Sequence, residues 1–180
     1  DGIEMNRAAY REQYRLRTMR RLMHGNSGMV DGELCVESEE VVVESSTFNF
    51  DDYKYFRAMN TLFHAIFINE LHLDFFRRLV GGGSSLTDFL ERLLVSTGGE
   101  DYAANAHDWW LAELDAAMDR ELYDGERLMA VIEDAASGRA ELPDEIKIQP
   151  IFARKLSDHE HGWVARIIER LAQEQEQMVA

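Results

Sequence analysis

A mainly α fold is predicted for this chain: a helical bundle with a short two-stranded β segment near the N-terminus. Three observations lead there. Apolar residues recur at helical spacing over most of the sequence from Asn49 onward. One stretch only, "ELCVESEEVVVES" (33–45), alternates apolar with polar residues as a half-buried strand does. The residues between these stretches, "HGNSG", "DG" and "GGGSS", are turn formers.

The elements follow in order. Residues 3–23 predict a helix, with Met5, Ala8, Ala9, Leu16, Met19 and Met23 near one face and arginines over the other. "HGNSG" (24–28) ends it, because glycine and asparagine tolerate left-handed backbone. "DG" at 31–32 signals a turn before the strand segment, which reads as two short strands or as one strand with an extended return. Asn49 or Asp51 caps a helix running to about Ile68. Tyr53, Phe56, Phe63 and Phe67 form one stripe of it, with Met59, Leu62 and Ile66 beside them, so it is expected at the centre of a core. "LHLDFFRRLV" (71–80) extends or re-angles that helix, "GGGSS" (81–85) is a joint, and Ser85 caps "LTDFLERLLV".

Residues 101–123 are the clearest amphipathic helix. Ala103, Ala106, Trp110, Leu114 and Met118 share a face opposite Asp101, Asp108, Asp115 and Asp119. "GERLMAVIEDAAS" (125–137) is a shorter helix closed by Gly138, and Pro143 breaks the chain or opens another turn. "KIQPIF" (147–152) is expected to be extended, since the residue before proline avoids helical geometry. A last helix from about Asp158 buries Val164, Ile167, Ile168 and Leu171. The division expected is a basic helix plus β segment over 1–48 and a helical domain over 49–180.

Composition bounds function. A chain of 180 residues can bury about 70% of its unfolded surface, enough for a real core. Nineteen lysines and arginines face 34 aspartates and glutamates, a net charge of −15. Such a surface repels phosphate and anionic lipid, which argues against nucleic-acid and membrane partners. The charge is uneven. Residues 1–24 hold Arg7, Arg11, Arg15, Arg17, Arg20 and Arg21 against only Asp1, Glu4 and Glu12. This arginine face is either solvated beside local glutamates or a dock for an acidic partner surface. Cys35 is the only cysteine, which excludes an intrachain disulfide and a cysteine-built zinc or iron–sulfur site. With no apolar run of transmembrane length and no secretory leader at its start, the chain fits a reducing cytoplasmic setting. Its opening at Asp1, without methionine, is expected of a processed or partial polypeptide.

No catalytic, cofactor-binding or metal-binding residue is assigned. "HEHGW" (159–163) has Trp163 where a metalloprotease helix needs its second histidine. A di-iron bundle needs Glu three residues before His. Arg21, Thr61, Asn69, Ala104, Leu156 and Asp158 hold those positions. "GGGSS" lacks the lysine of a phosphate loop, so it reads as a linker. The acidic face of 101–119 reads as solvated, and Trp109 and Trp110 cannot both face inward. Cys35 has acidic neighbours, which disfavour a thiolate. No nucleophile–base set converges.

One segment has a family likeness. Gly32, Glu37, Ser38, Glu39, Glu40, Val41, Val42, Val43, Phe50, Asp52 and Tyr53 form a turn, an acidic valine-rich strand and a helix start. This pattern, with the arginine-rich "RAAYREQYRLRTMRR" before it, resembles the segment after the barrel in cobalamin-binding radical S-adenosylmethionine proteins. The likeness covers about residues 3–70. It implies a non-catalytic C-terminal helical domain that shapes substrate access or partner docking. The iron–sulfur cluster, S-adenosylmethionine and cobalamin would be held elsewhere in the parent polypeptide, because the family's CxxxCxxC motif is absent here. Its partner would be the rest of that polypeptide or another protein. The alternative is a freestanding acidic helical protein-interaction module. An independent enzyme is disfavoured by the lack of a convergent acid–base or ligand set.

Overall fold

In the computed structural model the chain is described over residues 4–68, 70, 73–95, 102–143 and 148–156, and at 166, 168, 170 and 173. A 3-10 turn, Glu4–Asn6, precedes helix α1, Ala8–Tyr14. The expected helix over 3–23 therefore ends early. Arg15 takes left-handed backbone (φ 50°), and its N–H closes onto the carbonyls of Arg11 and Glu12. Strand β1, Arg17–Val30, follows and runs through "HGNSG". Arginine, leucine and methionine are good helix formers, but a long complementary strand lies within reach. That strand, β2, spans Glu33–Glu44.

The hairpin turn is Asp31–Gly32, as "DG" predicts. Both residues have positive φ (51° and 86°), the sign a type I′ turn requires at each central position. The strands pair antiparallel, with register breaks after Arg17, which faces Glu44, and between Leu22 and Ser27. Thr18 faces Val42 through to Leu22 facing Ser38, and Ser27 faces Val36 through to Val30 facing Glu33. Tyr123 bridges the outer edge of β1 at Arg20. The predicted fold class is corrected accordingly. The protein is mostly helical, but its β structure is no short segment: an antiparallel sheet spans residues 17–44 and takes up what was assigned to the first helix.

The helices are α2 (Phe50–Phe63), α3 (Leu73–Gly81), α4 (Leu86–Val95), α5 (Tyr102–Glu121), α6 (Gly125–Ala136) and α7 (Ile148–Lys155). A π-helical turn, His64–Ile68, continues α2. "KIQPIF", expected to be extended, is corrected: α7 starts at Ile148 and includes Pro150. Proline fits there because first-turn N–H groups have no intrahelical acceptor to lose. The last helix expected from Asp158 falls mostly outside the described residues; within it Ile168 is helical and buried.

Contacts group the chain into two units, each discontinuous in sequence. The first comprises Asp1–Lys54 and Ala117–Ile146. In it, Leu22, Tyr123 and Leu128 form a small core joined by Val36, Val131 and Ile132, so α6 packs on the hairpin face that carries Leu22. Asp124 caps α6 by accepting the Arg127 N–H at 2.7 Å. The second comprises Tyr55–Ala116 and Lys147–Ala180. Phe75, Phe76 and Phe89 bring α3 and α4 together with ring centroids 5.3–5.6 Å apart. Trp110 is fully buried there and donates its indole N–H to the Phe152 carbonyl at 3.3 Å. The core-facing stripe of α2 and its π-helical continuation holds Leu62 and Ile66, whereas Phe56 and Phe63 are exposed.

Gly32→Ala forces a Cβ onto left-handed backbone and is expected to cost about 1 kcal/mol in urea unfolding followed by circular dichroism. Gly28→Ala, in the same hairpin with open space around its Cβ, serves as control and is expected not to lower stability.

Candidate functional site

Among the described residues, charged groups gather on the hairpin and at the junction that follows it. Alternating strand side chains put Arg21 opposite Glu39 and Arg20 opposite Glu40 on opposite faces of the ladder. On one face, Glu40 takes a two-pronged contact from the Arg11 guanidinium of α1, at 2.8 and 2.6 Å, and a third hydrogen bond from the Thr18 hydroxyl at 2.6 Å. These donors hold its carboxyl down at about 2, the Arg11 bond contributing most. Arg20 donates to the Ser38 hydroxyl at 3.2 Å.

On the other face, Arg21 pairs with Glu39 and reaches Glu121 at 3.4 Å. Glu121 lies at the end of α5 and is almost completely buried. Burial works against the charge of Arg21, but the two carboxylates outweigh it and raise its pKa. Where β2 ends, Arg17 pairs with Glu44 at 2.9 Å.

The junction is held by short local bonds. Ser45 N–H donates to the Phe48 carbonyl at 2.8 Å, and Ser46 N–H to the Tyr14 carbonyl at 2.7 Å. Asn49 Oδ1 accepts the Asp52 N–H at 3.0 Å, and Asp52 Oδ2 accepts the Asn49 N–H at 2.9 Å. This reciprocal pair is the capping-box arrangement, built with Asn and Asp. The Phe50 ring carries the Arg17 guanidinium at 5.1 Å and the Lys54 ammonium at 5.0 Å. It also stacks on Tyr53 at 5.9 Å. Lys54 in turn meets Asp119 of α5 at 2.8 Å.

The arginine-rich stretch is thus no helical face. Arg11, Arg17 and Arg21 engage glutamates of β2 and α5 far away in sequence. The opposition of "RTMRR" to "ESEEVVVE" across a "DG" turn was the signal that periodicity alone missed. The remaining candidates are structural or lie elsewhere. Ser85 caps α4, accepting the Asp88 N–H at 3.2 Å, so the glycine-rich stretch serves as a helix joint. Trp110 is buried and Trp109 exposed, with the Lys155 ammonium 5.2 Å from the Trp109 ring. On the acidic face of α5, Asp119 is held by Lys54. Cys35 is exposed on β2. "HEHGW" lies outside the described residues. Among the described residues no His, Cys, Asp and Glu side chains group in a way that could hold a metal ion. No described helix is long and apolar enough to cross a membrane. Comparisons with family models, curated proteins and solved structures give no match.

Two expectations follow for the charged ladder. Because the Glu40 pKa is lowered on folding, its contribution is present above the ordinary value of 4.5 and disappears as pH falls toward about 2. Melting temperature measured across that window should therefore fall less steeply in Glu40→Gln than in the parent chain. Arg21→Ala strips a partner from the buried Glu121 and is expected to cost about 3 kcal/mol in urea unfolding. Arg20→Ala, which removes an exposed side chain, is expected to cost under about 1 kcal/mol.

Proposed function

We propose that this chain is the non-catalytic C-terminal helical domain of a cobalamin-binding radical S-adenosylmethionine enzyme, where it shapes substrate access or docks a partner. The observation that carries the reading is that the residues of the family-like pattern have consecutive architectural tasks. Gly32 closes the turn, and Glu39 and Glu40 anchor β2 to arginines. Asp52 caps α2, while Phe50 and Tyr53 stack beside two cations. A segment built this way specifies a backbone path from hairpin to helix, as a structural domain needs.

The cofactors of such an enzyme are not assigned to these residues. Cys35 alone does not fit a cluster that takes three thiolates from CxxxCxxC, so the cluster belongs to polypeptide outside this sequence. Cobalamin and S-adenosylmethionine belong there too. The partner in this reading is the remainder of the parent polypeptide or another protein, in a cytoplasmic setting.

The reading frame upstream of Asp1 is the test. A CxxxCxxC motif encoded in that frame is the expected result. A start codon immediately before the Asp1 codon, or turnover by the 180-residue chain alone, overturns the proposal.

A further inference from the structure

The two outer edges of the hairpin differ. On β1, the Arg20 N–H donates to the Tyr123 carbonyl at 2.7 Å, and the Tyr123 N–H donates to the Arg20 carbonyl at 2.8 Å. Both backbone groups of Arg20 thus point away from β2. In an antiparallel ladder, opposed residues alternate between pairs that exchange hydrogen bonds and pairs that do not. Arg20 and Glu40 must be of the second kind, so the backbone N–H and C=O of Glu40 point away from β1. The same alternation applies two residues to either side, where Ser38 faces Leu22 and Val42 faces Thr18 in unbroken register. Ser38, Glu40 and Val42 therefore present their backbone donors and acceptors along the outer edge of β2. Among the described residues nothing bonds to them there.

We propose that this edge docks an extended polypeptide segment bearing lysine or arginine, which adds to the sheet as a strand beside β2. The inference rests on the docking role proposed above and not on the parentage of the chain. An open strand edge is a template for main-chain pairing, and side chains decide which strand is admitted. Here the side chains are strongly biased. β2 carries Glu33, Glu37, Glu39, Glu40 and Glu44 and no basic residue; Glu40, Glu44 and Glu39 already meet Arg11, Arg17 and Arg21, and the acidic excess that remains sits within a chain of net charge −15. The strand it already pairs with supplies Arg17, Arg20 and Arg21, two of which form ion pairs to it. A second copy of β2 would instead bring glutamates against glutamates, which opposes pairing. The same carboxylates that keep two copies apart therefore select a basic strand.

The test uses the full 180-residue chain and a peptide in which arginine alternates with threonine and valine, titrated by isothermal calorimetry at low salt. Saturable binding is expected. It should weaken at least about tenfold for the peptide with glutamate in place of arginine. It should weaken as much when alternate backbone nitrogens of the arginine peptide are methylated, since charge is kept while strand pairing is blocked. Ser38→Pro removes an edge donor without taking an N–H from the β1 ladder and should cause a comparable loss. Three outcomes overturn the proposal: no saturable binding, equal binding of the methylated peptide, or self-association through this edge that the peptide does not reverse. The methylated-peptide arm holds even if the proline variant fails to fold. None of these results depends on what is encoded upstream of Asp1.

Discussion

The pairing of a basic strand with an acidic one is the constraint on which the N-terminal half of this structure depends. Residues 17–22 favour helix by intrinsic preference, and a helix there would leave its arginines to water. As a strand, the same residues set Arg17 and Arg21 against Glu44 and Glu39 and bring Glu40 under Arg11 of α1. Exposed ion pairs are individually weak. Here they act together with a backbone ladder and a turn whose two residues prefer the required geometry. The buried carboxylate of Glu121 raises the stakes, because taking it out of water without Arg21 is costly. Register and charge are therefore coupled. A slip of one residue would turn Arg21 to the other face and leave Glu121 without it.

This coupling explains the aromatic helix start after the hairpin. The chain leaves β2 at Glu44 and must enter α2 within a few residues while Arg17 is already held at the strand end. Phe50 accepts the flank of that guanidinium and of Lys54, and the reciprocal Asn49–Asp52 bonds fix the first turn. Lys54 passes the connection to Asp119 near the end of α5, whose next residues bring Glu121 and Tyr123 to the hairpin. Polar contacts thus join elements that are distant in sequence, over a small apolar core at Leu22, Tyr123 and Leu128.

What the sequence made legible was local. The "DG" turn, the Asn49 and Ser85 caps, the α6 helix closed at Gly138 and the inward turn of Trp110 all follow from signals contained within a few residues. What it hid was non-local. Met19, Leu22 and Met23 fit a helical stripe as well as a strand, and only the partner 18 residues on from Arg21 decides between them. Pro150 misled for a different reason: proline disfavours helix for its predecessor in general, but the first turn is where that penalty is smallest. The charged ladder needed both strands to be seen at once. Read separately, its arginines suggested a solvated face or a dock, and its glutamates the polar positions of a strand.

Three of the five β2 glutamates are held by arginines of the hairpin and α1, and the strand stays acidic in sum. β1 gives part of its outer edge to Tyr123, whereas among the described residues nothing bonds to the outward backbone groups of Ser38, Glu40 and Val42 on β2, which lie among glutamates that oppose pairing with a second copy. Natural edges are commonly shortened, bulged or covered to prevent association, yet β2 runs for twelve residues and includes three consecutive valines. Acidic side chains protect it from copies of itself without hiding the backbone. An edge guarded by charge alone remains open to a strand of opposite charge, and on that asymmetry rests the selectivity proposed for it.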